Sequence, residues 1–409
     1  MLMIFRRRRY TIFLFLLILV LILYICSRKP RKPKYGRFAG LQNETLLPNS
    51  ARVPIYHTNC ISILNQMKLP VPFLIIDIDF LKMLDKNYCK WSSDEVLKVA
   101  VNSKYSPINY SNSKLDIIFY ENDSAKDYLD LKSEVRRLIP KKFQTHWVEN
   151  IEIPTNIKQF TEFWKRSKFI DCLKLEVPRD KSYVFMPAEP AVEELAQLRD
   201  ELIEFDMYPF LNGGTFLGWY RECSIIPHTT DMDLSVFAKD YNPIYVELLH
   251  SYWNPSSFEV WRMLGMVEDS FEITIQTKKW FEYPIDLFLM YEGIENGKLT
   301  HHWVGGIATD GTKYKFTYPI YDPWCAADLH GHIFWVSCNP LEKILAEYGE
   351  DWKKDHLSSE YRWNYSQKNV QTNGKYTAEQ MKMLYRKATI GFRAVHRALN
   401  SFISRIPIL

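Results

Sequence analysis

Asp231 and Asp233 stand one residue apart in Asp231-Met-Asp-Leu-Ser-Val236. On a strand, residues two apart share a face and lie roughly 6–7 Å from each other. The two carboxylates therefore point together, while Met232 and Leu234 point into a core. Two hard oxygen donors placed this way can hold a divalent cation against a phosphate. Upstream, the short apolar run Pro209-Phe-Leu211 leads into Gly213-Gly214-Thr215. The glycines let the backbone turn tightly and approach a ligand with no Cβ in the way. Residues 215–220 read as one or two helical turns whose free N–H groups would face the same spot, a ready anion site. A loop at 223–230 with the turn-prone Pro227 connects the two parts. Gly213, Gly214, Thr215, Arg221 and His228 are the candidates for binding a donor and its phosphates.

A third carboxylate lies in Tyr283-Pro-Ile-Asp-Leu-Phe-Leu-Met-Tyr291. Asp286 is an acid inside an apolar strand, which is costly unless it is paired. It reads either as a hydrogen-bonded structural residue or as the third member of the metal site, on a strand beside Asp231 and Asp233. In the second reading it serves as general base or holds a second metal ion, with His228 as the alternative base. Asp77-Ile-Asp79 is a second pair of this spacing, but it lacks an upstream glycine turn and is read as a strand end capping the next segment.

The run Gly213-Gly-Thr-Phe-Leu-Gly-Trp-Tyr-Arg-Glu-Cys-Ser-Ile-Ile-Pro-His-Thr-Thr-Asp-Met-Asp233 resembles the LicD/fukutin branch of the nucleotidyltransferase superfamily. In that superfamily a strand, a Gly-Gly or Gly-Ser turn, a helix and an Asp-x-Asp strand form one site. Family members also place an Asp-hydrophobic-Phe strand further on, matched here by Asp286-Leu-Phe288. A helix ending in Tyr348-Gly-Glu-Asp-Trp352 and the segment Lys368-Asn-Val-Gln-Thr-Asn-Gly374 are similar to family elements too. The resemblance covers residues 191–375. It implies an α/β nucleotidyltransferase-fold domain with a mixed sheet, and a glycan-modifying enzyme of the Golgi or ER. Such an enzyme moves ribitol 5-phosphate from a CDP-linked donor to a sugar hydroxyl of a glycoprotein, on O-mannosyl glycans, with Mg²⁺ and alongside other glycosyltransferases. The residues alone support metal-assisted phosphoryl or glycosyl transfer. A GT-A-type glycosyltransferase using a UDP-sugar and Mn²⁺ also employs Asp-x-Asp, although it does not call for Gly213-Gly214. A scaffold or chaperone that keeps the fold without catalysis is the non-enzyme alternative.

The elements that would position this site occupy a chain of 409 residues, 47% hydrophobic and 15% aromatic, enough for sizeable cores. Ten of the Lys and Arg residues fall in the first 37 positions with no acid among them, so removing them from the formal charge of +4 leaves a body of −6. That balance argues against nucleic acid as a partner. Residues 10–26 form an apolar run of 17 residues, at the short end of what spans a bilayer. No small-x-small cleavage site comes after it, so the run reads as an uncleaved signal anchor. Basic residues on both sides leave the positive-inside rule undecided. Orientation comes instead from sequons at Asn43, Asn109, Asn122 and Asn364 and from six cysteines beyond the run. These suit a single-pass type II protein with its body in an oxidising lumen. The cysteines are Cys60, Cys89, Cys172, Cys223, Cys325 and Cys338; their pairing is open.

The expected organisation is a cytosolic tail at 1–9, the anchor at 10–26, a stem at 27–54, an α/β accessory domain at 55–190 and the nucleotidyltransferase-fold domain at 191–409. Within the accessory domain, strands are expected at 72–80 and 114–120 and a helix at 127–138. In the second domain, Val192, Leu195, Leu198, Leu202 and Phe205 mark one face of a helix. Beyond it are expected a helix near 245–251, a strand at 271–277 and a helix at 341–348 capped by Gly349.

Overall fold

The computed structural model describes residues 73–85, 96–111, 113–148, 151–179, 185–251, 253–278, 283–384 and 386–387. The apolar run at 10–26, its flanks, the stem, Asn43, Cys60 and Cys89 lie outside these residues. No helix among the described residues is long and apolar enough to cross a membrane.

Strand pairing links most of the fold into one mixed sheet. Leu74–Ile76, Leu97–Asn102 and Leu115–Glu121 run parallel, followed by antiparallel Tyr128–Lys132 and Arg137–Pro140. Lys168–Phe169, Cys325–Leu329, His332–Val336 and Phe210–Leu211 carry the pairing onward. They lead to the strands that matter for chemistry, in the spatial order Met232–Phe237, Ile285–Glu295, Asp269–Thr277 and Phe258–Met266. Arg386–Lys387 closes this edge.

Alternation on these strands sorts their side chains. Met232, Leu234, Ile273, Ile275, Ile285 and Leu287 enter one core with the helix Ala188–Glu204, whose Val192, Leu195, Leu198 and Leu202 are buried as their helical spacing predicts. Burying each such side chain contributes about 1.5–3 kcal/mol. The intervening positions, Asp231, Asp233, Glu272, Thr274 and Asp286, are left on the other face. A second core combines Phe73, Leu131 and Phe160 with Phe210, Phe237 and Trp335, from both sides of residue 190.

Two expected elements take another form. Residues 127–138 make an antiparallel hairpin rather than a helix. Tyr128, Leu129, Asp130 and Leu131 are all buried, so both faces of the first strand are covered, and Arg136 reaches across the turn to Asp130 with bonds of 3.0 and 2.8 Å. Asp127 is held by Arg199, His332 and the N–H of Ile333. These long-range partners outweigh a local spacing that suits either state. The strand expected at 72–80 stops at Ile76, and the helix Ile78–Asp85 begins there. The Asp77 carbonyl accepts from the Leu81 N–H at 3.1 Å, which makes Asp77 the residue before the first turn, a position aspartate favours. Asp79 is exposed and pairs with Lys82 at 3.4 Å.

Candidate active site

Asp233 and Asp286 are register partners on adjacent parallel strands. Asp286 is directly opposite Thr274, and Thr274 is opposite Arg262, on the next two strands. Four neighbouring strands thus contribute Asp233, Asp286, Thr274 and Arg262 to a single row across the sheet. Asp231 and Glu272, each two residues from a member of the row, share its face.

The row is bonded internally. The Thr274 hydroxyl donates to Asp286 Oδ1. Arg262 donates from Nε to Thr274 Oγ1 at 3.2 Å and from Nη2 to Glu272 Oε1 at 2.5 Å, with Asp286 Oδ2 3.8 Å from Nη2. Thr229 donates to Asp231 Oδ1 at 3.4 Å.

At the end nearest Asp233 the chain forms the short strand Phe210–Leu211 and the helix Gly213–Glu222. Gly213 has φ +51°, and a Cβ there would stand 2.7 Å from Asp233 Oδ2, so the close approach and the left-handed backbone both require glycine. The Gly214 N–H donates to Asp233 Oδ2 at 2.9 Å, and the Asp233 N–H donates to Thr215 Oγ1 at 2.8 Å. Of the backbone N–H groups of Gly213, Gly214 and Thr215 expected to face a donor's phosphates, that of Gly214 is thus taken up by Asp233, and the Thr215 hydroxyl oxygen accepts from the Asp233 backbone. A helix N-terminus favours a nearby anion, and here the strand itself supplies it. The far end of the helix is fixed by the disulfide Cys172–Cys223; a further disulfide among the described residues is Cys325–Cys338.

Crowding acids together has electrostatic consequences. Burial, then Asp231, Asp286 and Glu347, hold the Asp233 carboxyl well above its ordinary range against the Gly214 hydrogen bond. Burial raises Asp231 despite Thr229 and Arg262. Asp286 is pushed up to about 6 by burial and by Asp231, with Thr274 and Arg262 opposing. Burial and Asp286 take Glu272 to about 8 against Arg262. Like charges forced into one low-dielectric site cannot all ionise without a compensating cation.

Arg221 and His228 lie in a different network. Arg221 is 2% exposed and donates to the carbonyls of Trp352 at 3.2 Å and Lys354 at 3.0 Å and to Glu222 at 3.0 Å. His228 Nδ1 lies 2.9 Å from Ser358 Oγ, and Nε2 lies 3.0 Å from Asp355. Arg179 joins Asp355 to Glu222. Arg221 therefore ties the site helix, and His228 the loop that follows it, to the segment at 352–358, and both nitrogens of His228 are engaged there, in contrast to the expectation of groups free for phosphate or for base chemistry. Asp77 lies between the first strand and the first helix of the fold and Asp79 in that helix, and neither is among the members of the row.

Three members were not identified from sequence. Glu272 and Thr274 occupy the polar positions of the alternating strand at 271–277, the signal that could have found them. Arg262 lies on a strand whose mixed pattern gives little warning, with register shifts on both sides of it. Glu347, 4% exposed and bonded by Tyr318 Oη at 2.9 Å, is pushed up to about 7 by burial.

Two family models match the chain. The one described as W02B3.4-like, N-terminal domain, covers residues 59–171, and the one described as LicD/FKTN/FKRP, nucleotidyltransferase domain, covers residues 207–339. Uncharacterized protein W02B3.4 of Caenorhabditis elegans is 56% identical over 334 residues, 81% of this chain and 86% of the relative. Uncharacterized protein T07A5.1 of the same organism is 43% identical over 328 residues, 79% of this chain and 86% of the relative. The human protein named Ribitol-5-phosphate transferase FKTN is 32% identical over 231 residues, 54% of this chain, and the chain spans about half of it, 47% of its length. The row of site residues falls inside the nucleotidyltransferase-domain match.

Proposed function

This chain belongs to the LicD/FKTN/FKRP nucleotidyltransferase-domain family and is fukutin-like, and from that premise we propose that it is a phosphotransferase moving ribitol 5-phosphate from a CDP-linked donor to a sugar hydroxyl of a glycoprotein. The observation that carries this reading is the in-register pair Asp233 and Asp286 with Asp231 on the same face.

Asp231 and Asp233 would hold a cation, Mg²⁺ or Mn²⁺. The fit lies in the donor set: buried carboxylates that raise one another's pKa need positive charge to ionise together, and hard oxygens suit these metals. Among the described residues no three His, Cys, Asp or Glu side chains converge to cage an ion by themselves. Mg²⁺ usually takes one or two carboxylates plus substrate phosphates and water, so no cage is required. When bound, the ion would offset charge on the donor diphosphate.

Asp286 is the base in this reading. A pKa of about 6 places it near the pH at which a general base works best, and such a group contributes about 10²–10⁴-fold. Its carboxylate takes the proton of the acceptor hydroxyl while that oxygen bonds to the phosphorus bearing ribitol. The bond from this phosphorus to the bridging oxygen breaks, and CMP leaves with the electron pair.

Two disulfides among the described residues and exposed sequons at Asn109 and Asn122 support a lumenal body in the Golgi or ER. Glycoprotein acceptors and neighbouring glycosyltransferases are the partners that location offers, and the anchor at 10–26 would hold the protein to the membrane.

The test is transfer by the full-length protein in detergent micelles, offered CDP-ribitol, CDP-choline or UDP-sugars with Mg²⁺ or Mn²⁺ and a glycopeptide acceptor. Mg²⁺-dependent addition of ribitol phosphate with one CMP released per transfer is expected. Consumption of a UDP-sugar with Mn²⁺ would overturn it in favour of a glycosyltransferase. Absence of both turnover and donor binding would leave a scaffold.

A further inference from the structure

We infer that Arg262 is the side chain that grips the donor's phosphates, with Glu272 and Thr274 as the residues that position its guanidinium. This rests on the proposed function and adds the protein's own cation to the site. The register puts Arg262 at the end of the row, opposite Thr274, which is itself opposite Asp286. Two neighbours hold the guanidinium from the carboxylate side, Thr274 at Nε and Glu272 at Nη2. A guanidinium carries five N–H donors in a rigid fork, and these two contacts do not exhaust it. The side chain is 35% exposed, whereas Glu272 and Asp286 beneath it are 10% and 11% exposed. Arg262 thus presents a charged edge outward above buried acids.

Chemistry favours this position over the alternatives on the site helix. Arg221 is 2% exposed, with Nη1 given to the carbonyls of Trp352 and Lys354 and Nη2 to Glu222. Arg262 acts electrostatically on Asp231, Glu272 and Asp286, so an anion it binds is brought to the carboxylates that would hold the metal. A planar fork matches two phosphate oxygens at once, which an ammonium cannot do.

The experiment is calorimetric titration of the full chain in detergent with Mg²⁺ alone, then with CDP, UDP and pyrophosphate in the presence of Mg²⁺, for wild type, Arg262→Gln and Arg262→Lys. Arg262→Gln should weaken CDP and pyrophosphate by about 10–100-fold, the loss expected for hydrogen bonds to a charged group. Its affinity for Mg²⁺ alone should hold or rise, because a cation beside the carboxylates has gone. Arg262→Lys keeps the charge, covers the case in which the glutamine variant does not fold, and should fall between the two. Glu272→Gln should raise the donor KM with little change in kcat, which a loss of general stability would not do. Unchanged CDP and pyrophosphate affinity in folded Arg262 variants overturns the inference, as does an equal loss of Mg²⁺ affinity. Wild type that prefers UDP overturns the CDP reading, and the Arg262 comparison is then made on UDP. A wild type that binds none of the three anions overturns both.

Discussion

Asp233 and Asp286 are directly paired across two parallel strands, so their carboxylates start from backbones roughly 4.8 Å apart. One is tied to the Gly214 N–H and the other to the Thr274 hydroxyl. Each keeps part of its carboxylate for something else, and charge repulsion gives both a use for a cation.

Asp233→Asn and Asp286→Asn should therefore separate binding from chemistry. The first is expected to abolish Mg²⁺-dependent donor binding. The second should leave donor binding near wild type and lower turnover by about 10²–10⁴-fold. Asp77→Asn should turn over normally. Donor titration and transfer rate on folded protein measure all three, and a dead Asp77→Asn with normal Asp286→Asn would move the site to the first domain.

The raised carboxyls make stability depend on pH in a defined direction. Asp286 at about 6 and Glu272 at about 8 bind protons in the folded chain that they release when it unfolds. Stability in the absence of metal is present at low pH and lost as pH rises through these values. A bound cation reverses the penalty, so the rise in Tm on adding Mg²⁺ should be larger at about pH 8 than at about pH 5.5. Thermal unfolding with and without Mg²⁺ at the two pH values is the check; equal shifts would contradict it.

The two glycines should respond differently. Gly213→Ala forces a Cβ to 2.7 Å from Asp233 Oδ2 at φ +51°, whereas a Cβ on Gly214 meets the same atom at 3.6 Å, an ordinary contact. The first should cost about 1–3 kcal/mol together with most of the activity, and the second little of either. Denaturant unfolding and transfer rates on the pair decide it; equal effects would show that the turn is not shaped around Asp233.

His228→Ala should destabilise without stopping chemistry. It removes the ring bonded to Ser358 and one of the partners of Asp355, which keeps Arg179, and should cost about 1–3 kcal/mol for the polar groups left behind. Turnover per folded molecule should stay within a few-fold of wild type. A folded His228→Ala that binds donor but fails to turn over would restore His228 as the base.

Glycosylation should follow exposure. Asn109 and Asn122 are exposed, whereas Asn364 is partly buried with its amide 3.3 Å from Tyr314 Oη. In membrane-expressed protein, glycosidase treatment should shift mobility, and Asn43→Gln, Asn109→Gln and Asn122→Gln together should remove most of the shift. No shift in wild type, with the body digested in sealed vesicles, would place it on the cytosolic side.

The sequence by itself determined whatever a single strand or helix can encode. Alternation around Asp231 and Asp233 separates acids from core residues because the side-chain period of a strand is two. Gly213-Gly214 marks a turn because few other residues tolerate its backbone. Asp286 stands out because an acid in an apolar run must have a partner. Tertiary structure decided which strands became neighbours, and with that the row Asp233, Asp286, Thr274, Arg262. Asp286 lies 24 residues along the chain from Arg262 and 53 from Asp233, and no local pattern specifies a register between segments so far apart. The same limit explains the hairpin at 128–140, where Asp130 and the preceding Asp127 are satisfied by Arg136, Arg199 and His332, and the diversion of Arg221 and His228 from phosphate to Trp352, Asp355 and Ser358. A charged side chain in a motif advertises its chemistry, but its partner is set by whatever the fold brings within about 3 Å.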